Sequence, residues 1–424
     1  MAEPPRSLNL DIAYVGARLP SLSETFVYRE FLGLRARGHR MTAVSVHRPE
    51  RLQARELDAL ATDAVVVYSV RTLAHLPLAL ALNPRLALAA VQQSLTADIR
   101  GARQRMKYLL QAWMGLAVGR RLRCCGIRHV HAHLANVPAT VGLHLARALG
   151  ARFSFTGHAA DLFVHRSALA LKVRSAAFVV AISHWHQQFY NQIDPGTLAP
   201  IVRCGVALPA LGQDAGQGIV MVGRLVAKKG VDVLLQAASR LEPASASVRI
   251  AGEGPEGARL QCLAEKLGIS DRVEFLGAVS HERSLDLIRG AALFVLPCRI
   301  TSTGDRDGIP VVLMEAMAAA RPVIAGQLST IAELISDGEN GLLVPPGDAA
   351  ALAAAISRLT KDPELGRRLG AAARARIAEE FSDEKNLDRL EHAFRKASVE
   401  ATGAPPVDDV RDVWVANLNR LGEG

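Results

Sequence analysis

Short apolar runs of four to six residues recur along the chain, each followed by glycine or polar residues and then by a helical stretch. A strand that is apolar at consecutive positions is buried on both faces, and parallel neighbours need a helical crossover between them. The rhythm therefore predicts α/β architecture, with doubly wound parallel sheets flanked by helices. In the first half the expected strands are 10–15 (LDIAYV), 41–46 (MTAVSV), 64–68 (AVVVY), 129–132 (HVHA), 152–156 (RFSFT) and 177–182 (AFVVAI), with helices at 23–37, 103–123 and 136–149. In the second half the strands are 218–222, 247–251, 273–276, 293–297, 322–325 and 341–344, with helices at 230–240, 256–267, 281–290, 310–319 and 348–359. The glycine- and turn-rich stretch 203–217 (RCGVALPALGQDAGQ) joins the two units. Beyond residue 362 the chain reads as charged helix to about 399, and 401–424 opens on ATGAPP, which favours poor order at its start.

At 424 residues, half of them apolar, the chain can build two or three domains and is not globally disordered. Residues 1–207 hold 25 Lys and Arg against 11 Asp and Glu, whereas 208–424 hold 25 against 30. A basic unit beside a mildly acidic one implies different partners. For the basic unit these are an anionic membrane surface, an anionic substrate or nucleic acid; a merely solvated arginine-rich surface reads the same way. Nucleic acid is disfavoured, because no aromatic stacking pattern accompanies the charge. The five cysteines (Cys124, Cys125, Cys204, Cys262, Cys298) include no C-x-x-C pair, which argues against a disulfide framework or a zinc site and for a reducing compartment. No apolar run reaches the length of a membrane span, and MAEPPRSLNL lacks the apolar stretch of a signal peptide, so a cytoplasmic protein is expected.

Ligands of doubly wound sheets lie beyond the carboxyl ends of the strands. Strand 218–222 runs into GRLVAKKG, where Gly223 allows a sharp exit and Arg224 and Lys229 precede a helix. Two cations there suit a diphosphate, although a surface loop with ordinary basic residues has the same appearance. DRDGIPVVLMEAMA (305–318) places Asp307 in a loop and Glu315 more than a turn inside a helix that starts near Pro310. The helix N-terminus favours phosphate, and a carboxylate on each side can hold hydroxyls. Glu315 has apolar neighbours, so it needs a specific partner. Asp305 and Asp307 also spell D-x-D, a weak metal pattern on its own. In the first half, His158 and Asp161 of TGHAAD follow strand 152–156, and His131 and His133 alternate along HAHLAN. A loop His bonded to backbone and a core His are the plain alternatives. Ser21 or Ser23 of SLSETF can cap the first helix, a structural reading as strong as a substrate role for Glu24.

Together these features resemble family 4 of the glycosyltransferases, retaining nucleotide-sugar enzymes of the GT-B fold. The resemblance rests on GRLVAKKGVDVLL, GEGP (252–255), RVEFLGAV, DRDGIPVVLMEAMA and DGENGLLVPPGD. SETF, HAHLANVPATVGLHLARALG and FSFTGHAADLF resemble its colanic-acid and exopolysaccharide branch. It implies an acceptor-binding Rossmann-like domain at 1–207 and a donor-binding one at 208–384, with helices from about 385 crossing back onto the first. It also implies diphosphate contacts from Arg224 and Lys229, sugar contacts from Asp307, a ribose contact from Glu315 and an active-site role for His158. Gly223, Gly308, Ile309, Pro310 and Val311 complete the implied donor site, and Glu24, His133 and Asp161 the acceptor side. Two departures from the family pattern are Asp307, where many members have Glu, and Thr330, where Gly is frequent.

The implied activity is metal-independent transfer of a hexosyl-type sugar from a nucleotide-diphosphate sugar to a glycan or lipid-linked acceptor, with no cofactor. Rival readings are a nucleotide-sugar epimerase on the same fold and a non-catalytic nucleotide-sugar-binding protein. Donor sugar, base, acceptor, linkage and oligomeric state are not legible. Residues 100–123 (RGARQRMKYLLQAWMGLAVGRRLR) have cations at both ends, apolar residues between and no acid. They read either as a helix on the inner face of the cytoplasmic membrane or as a core helix with solvated arginines.

Overall fold

The computed structural model describes residues 9–21, 24–51, 54–164, 166–211, 216–242 and 247–399. The expected segment 401–424 and Ser23 lie outside them. The first domain holds strands β1 (Asp11–Gly16), β2 (Arg40–Ser45), β3 (Val65–Val66), β4 (His129–His133), β5 (Arg152–Thr156) and β6 (Phe178–Val180). The second holds β7 (Ile219–Val222), β8 (Val248–Ala251), β9 (Val273–Gly277), β10 (Leu293–Leu296), β11 (Val323–Gly326) and β12 (Leu342–Val344). Pairing is parallel in both, in the orders β3-β2-β1-β4-β5-β6 and β12-β11-β10-β7-β8-β9. The apolar runs form these strands because both faces are covered; Val220, Met221, Phe294, Val295 and Ile324 are inaccessible to solvent.

In each sheet the direction of winding reverses once, between β1 and β4 and between β7 and β10. A crevice opens at such a reversal, beyond the strand ends. The loops after β1 and β4 meet it in the first domain, and those after β7 and β10 in the second.

Helix Asp383–Val399 packs on the first domain rather than the second. Leu390, Ala393 and Phe394 join a core with Ile12, Phe31 and Phe178. Arg37 pairs with Asp388 at 2.6 Å and with Glu391 at 3.1 Å. The domains also touch directly. Glu333 accepts from the backbone N–H groups of His184 and Trp185 at 2.7 and 2.9 Å, at the start of helix His184–Ile193, where a helix dipole favours an anion. Arg203 closes the same contact at 3.2 Å, and the Arg306 guanidinium lies 4.4 Å from the Phe163 ring centroid and 5.2 Å from that of Trp185.

The basic helix at Ala102–Leu122 resolves in favour of the core. Tyr108, Met114, Leu116 and Val118 are buried. Gly115 and Gly119 let it press on helix Val137–Leu149, where a Cβ would lie 2.6 Å from the Val141 carbonyl oxygen and 2.5 Å from the Ala148 Cβ. Helix Thr25–Ala36 starts at Glu24, whose own side chain makes no cap.

Candidate active site

On the second domain, the turn Ala227–Lys229 follows β7 and brings two lysines to the loop before helix Val311–Ala318. Lys229 Nζ stands 2.7 Å from Asp307 Oδ2, and Lys228 Nζ is 3.2 Å from Asp305 and 3.5 Å from Asp307. Burial alone would raise the Asp307 carboxyl, but the two ammonium groups hold it below its ordinary value. Burial likewise disfavours the Lys229 charge, and Asp307 more than restores it. The Cys298 thiol donates to Asp307 Oδ2 at 3.2 Å, and the Thr330 hydroxyl donates to the Asp307 carbonyl at 3.2 Å. Thr330 therefore pins the loop at the position where the family pattern has Gly. Both carboxylates of the D-x-D face lysine.

Arg224 is exposed and pairs with nothing among the described residues. Pro310 is the extended residue just ahead of the helix, whose first N–H groups have no intrahelical partner, and Gly308 and Ile309 in the loop before it are buried. Glu315, on the same helix, is 8% exposed, and its Oε1 has no hydrogen-bond partner. Burial raises its carboxyl to about 7, against the pull of Arg29. It borders a cavity of about 190 Å³, together with Arg29, His281, Leu285 and Arg289. His281 Nε2 lies 3.9 Å from the carboxylate.

On the first domain, His158 sits at the end of β5, half-buried, and its ring lies 4.7 Å from that of Phe26. Burial, then the neighbouring His133 and His186, hold its imidazole well below the ordinary value, so the ring is neutral. Asp161 does not face the cleft with a free carboxylate. It accepts from the N–H groups of Ala135 and Ala159, both at 2.7 Å, and of His158 at 3.2 Å. Its place is to hold two loops together behind His158. His133 is buried and stacks on His158. His131 is in the core and bonds Ser154 and Thr156 through its two ring nitrogens, at 2.8 and 3.1 Å. Glu24 Oε2 is buried and unpartnered near the cleft, and burial raises its carboxyl.

The structure thus gathers Lys229, Asp307, Gly308 and His158 at one place and sets Glu315 beside a cavity. Sequence reasoning passed over Lys228, Cys298, Arg29 and His281 around the second-domain site, and Tyr14 and Glu30 behind His133. Only Lys228 carried a local signal, as the first lysine of the KK pair.

Two parallel sheets facing a cleft define the GT-B fold. Residues 213–376 match the family described as glycosyl transferases group 1, so the second half of the chain carries a group 1 glycosyltransferase domain. The chain is 35% identical over 169 residues to the putative colanic acid biosynthesis glycosyltransferase WcaL of Salmonella typhimurium, a match over 39% of this chain and 42% of that protein. The matched stretch is less than half the length of the curated relatives. Among solved structures, the sucrose-phosphate synthase of Thermosynechococcus elongatus aligns over 92% of this chain and all of that one, with a TM-score of 0.71 at 19% identity. Anabaena Alr3699/HepE in complex with UDP-glucose aligns over 91% of this chain and all of that one, with a TM-score of 0.69 at 16% identity.

Proposed function

We propose that the protein transfers a glycosyl group from a nucleotide-diphosphate sugar to a hydroxyl of a glycan or lipid-linked acceptor in bacterial surface or exopolysaccharide biosynthesis. The observation that carries this reading is the buried Lys229–Asp307 pair beside the start of helix Val311–Ala318, with an unpartnered Glu315 along the same helix. Arg224, Lys229 and the free N–H groups of the helix neutralise the charge that grows on the departing diphosphate. Lys229 spends one of its three N–H donors on Asp307 and keeps others for phosphate. Asp307 stays ionised and accepts from sugar hydroxyls, while Glu315 accepts from the ribose diol. His158 orients the sugar near the reacting carbon, and Glu24 offers a carboxylate to the acceptor. Cationic side chains do the work of an ion, so transfer is independent of divalent metal. Front-face attack with retention of configuration follows the family resemblance. WcaL and the UDP-glucose complex of HepE support the pathway and the donor class respectively.

The surface of the first domain supports a membrane-bound acceptor. Val70, Leu73, Leu78, Leu82, Leu88 and Leu95 are exposed on helices Val70–Leu73, Leu76–Leu82 and Pro84–Thr96, and Met106 and Leu110 on the first turns of the basic helix. Among the described residues no single helix is long and apolar enough to cross a membrane. Helices Val70–Leu82 and Pro84–Thr96 together have the length and apolar composition of a span but meet at 100°, and an interfacial contact with anionic lipid is the proposed mode.

The test is a thermal-shift panel of UDP- and GDP-sugars. A bound donor raises Tm by mass action, and transfer to an added acceptor extract follows from the sugar that does so. No shift with any nucleotide sugar or nucleoside diphosphate would overturn the reading.

A further inference from the structure

Three side chains from separate elements stand in line behind His158. His133 Nδ1 is 3.1 Å from His158 Nε2, and the rings stack at 5.4 Å with 18° between their planes. His133 Nε2 is 3.0 Å from Glu30 Oε1 and 2.5 Å from the Tyr14 hydroxyl, and that hydroxyl also bonds Glu30. A carboxylate only accepts, and a phenol has one proton. If Tyr14 gave its proton to His133, lone pairs of Glu30, Tyr14 and His133 would face one another. The arrangement without such a clash has Tyr14 donating to Glu30 and His133 donating from Nε2. With His133 protonated at Nε2 alone, its Nδ1 is bare and accepts from His158 Nε2. His158 Nδ1 is left bare, and what faces it is the Cys204 sulfur at 3.9 Å. Burial pushes that thiol up to about 12, so it keeps its proton and can donate it to the bare Nδ1.

Glu30, His131 and His133 also bring ligand atoms within 4.8 Å of one another. Their ring nitrogens are already spent, those of His131 on two hydroxyls and those of His133 on Glu30 and His158. The cluster reads as a hydrogen-bonded chain rather than an ion site.

We propose that Glu30, acting through His133, fixes His158 as the Nε2–H tautomer, with Nδ1 accepting from the Cys204 thiol, so that the ring is held in one orientation where the sugar binds. Glu30, Tyr14 and His133 are positioning residues. The functional part rests on the reading above; the tautomer order stands by itself.

The experiment is long-range proton–nitrogen correlation on full-length protein with nitrogen-15-labelled histidine. His133→Gln and His158→Asn assign the two rings. The expected wild-type spectrum shows both rings protonated at Nε2 only. Protonation of His158 at Nδ1 overturns the proposal, however the variants behave. Glu30→Gln, which can also donate, is expected to give a mixed or reversed His158 tautomer. A second variant, Tyr14→Phe, keeps the carboxylate and so the wild-type tautomer, which covers the case in which Glu30→Gln does not fold. UDP and UDP-glucose, with GDP and GDP-mannose in parallel, are then titrated into wild type and Glu30→Gln. Loss of a partner that fixes a metal-bound His costs about 10- to 100-fold, and His158 is expected to respond on the same scale. Weakening of this order is expected for the nucleotide sugar and less than twofold for the matching nucleoside diphosphate. Equal weakening of both, or none, overturns the link to the sugar. If the wild-type tautomers are as expected but no nucleotide or nucleotide sugar binds, the proposed function fails while the tautomer order holds.

Discussion

Gly308 of the second domain rests against His158 of the first: a Cβ at Gly308 would lie 2.8 Å from the His158 carbonyl oxygen and 3.3 Å from Ile182 Cδ1. The cleft is therefore shut at this point, and a glycine is what permits it. Gly308→Ala should hold the domains apart, since overpacking a backbone contact costs about 1–3 kcal/mol. The expected outcome is a fall of roughly tenfold or more in kcat/KM for transfer, with each domain still folded. Steady-state kinetics alongside circular dichroism measures both, and wild-type turnover in Gly308→Ala would show that this contact is not part of the working state.

Lys229 and Arg224 should separate in their effects on stability. Lys229→Ala leaves Asp307 buried with Lys228 as its nearest cation, at 3.5 Å. Removing one partner of a buried pair costs about 3–5 kcal/mol. Asp307→Asn in the same background should recover part of that loss. Arg224 is exposed and unpaired among the described residues, so Arg224→Ala should leave Tm unchanged and weaken nucleotide-sugar binding alone. Urea unfolding of wild type, Lys229→Ala, Asp307→Asn and the double variant, read as a double-mutant cycle, with Arg224→Ala beside them, provides the comparison. Equal stability of Lys229→Ala and wild type would remove the pair from the account.

How much of this could be read beforehand follows from the range over which each signal acts. The twelve strands among the described residues were legible, most of them because burial on both faces writes a continuous apolar run into the local sequence. Asp307 and Lys229 were legible because each follows a strand end within a short loop, in a spacing that a helix N-terminus makes meaningful. Glu30 and His133 are 103 residues apart and meet only because β1 and β4 are neighbours in the sheet. No local pattern marks that. Asp161 looked like a site residue because it follows a strand, but three backbone N–H groups take up its carboxylate. The helices between 70 and 96 were missed because their exposed leucines blur the amphipathic period.

Glu315 makes stability and binding depend on pH in opposite senses. Its carboxyl is raised by burial from 4.5 to about 7. Between these values the folded protein keeps a proton that the unfolded chain has lost, so stability falls as pH rises through this window. At about 1.4 kcal/mol per unit the loss is on the order of 3 kcal/mol above pH 7. Glu315→Gln should therefore match wild type near pH 5 and exceed it near pH 8. Nucleotide-sugar affinity should move the other way in wild type, because the ionised carboxylate accepts from both ribose hydroxyls, and it should be flat in Glu315→Gln. Calorimetry from pH 5.5 to 8.5 tests this; an affinity that does not change with pH would separate Glu315 from the ribose.

The membrane prediction shifts from the middle of the basic helix to its start and to the helices before it. Trp113 is partly buried and its indole N–H donates to the Ala87 carbonyl at 3.4 Å, so it is not a membrane anchor. Exposed instead are Val70 at 85%, Met106 at 72% and Leu88 at 70%, with Arg71, Arg85, Arg103 and Lys107 on the same helices. Apolar residues that enter the interface act at every salt concentration, whereas cations near anionic lipid contribute about 1 kcal/mol each and are screened by salt. The two kinds of contact are thus separable. Co-sedimentation with vesicles should rise with anionic lipid content and fall with salt. Arg103→Glu, Arg105→Glu and Lys107→Glu together should weaken binding about 100-fold or more at low salt and flatten the salt dependence. Val70→Glu with Leu88→Glu should weaken it at all salt concentrations while leaving more of that dependence in place. With Trp185 and Trp414 replaced by Phe, Trp113 fluorescence should not move on binding. A blue shift of Trp113, or full binding by the triple variant, would mean that a different face meets the lipid.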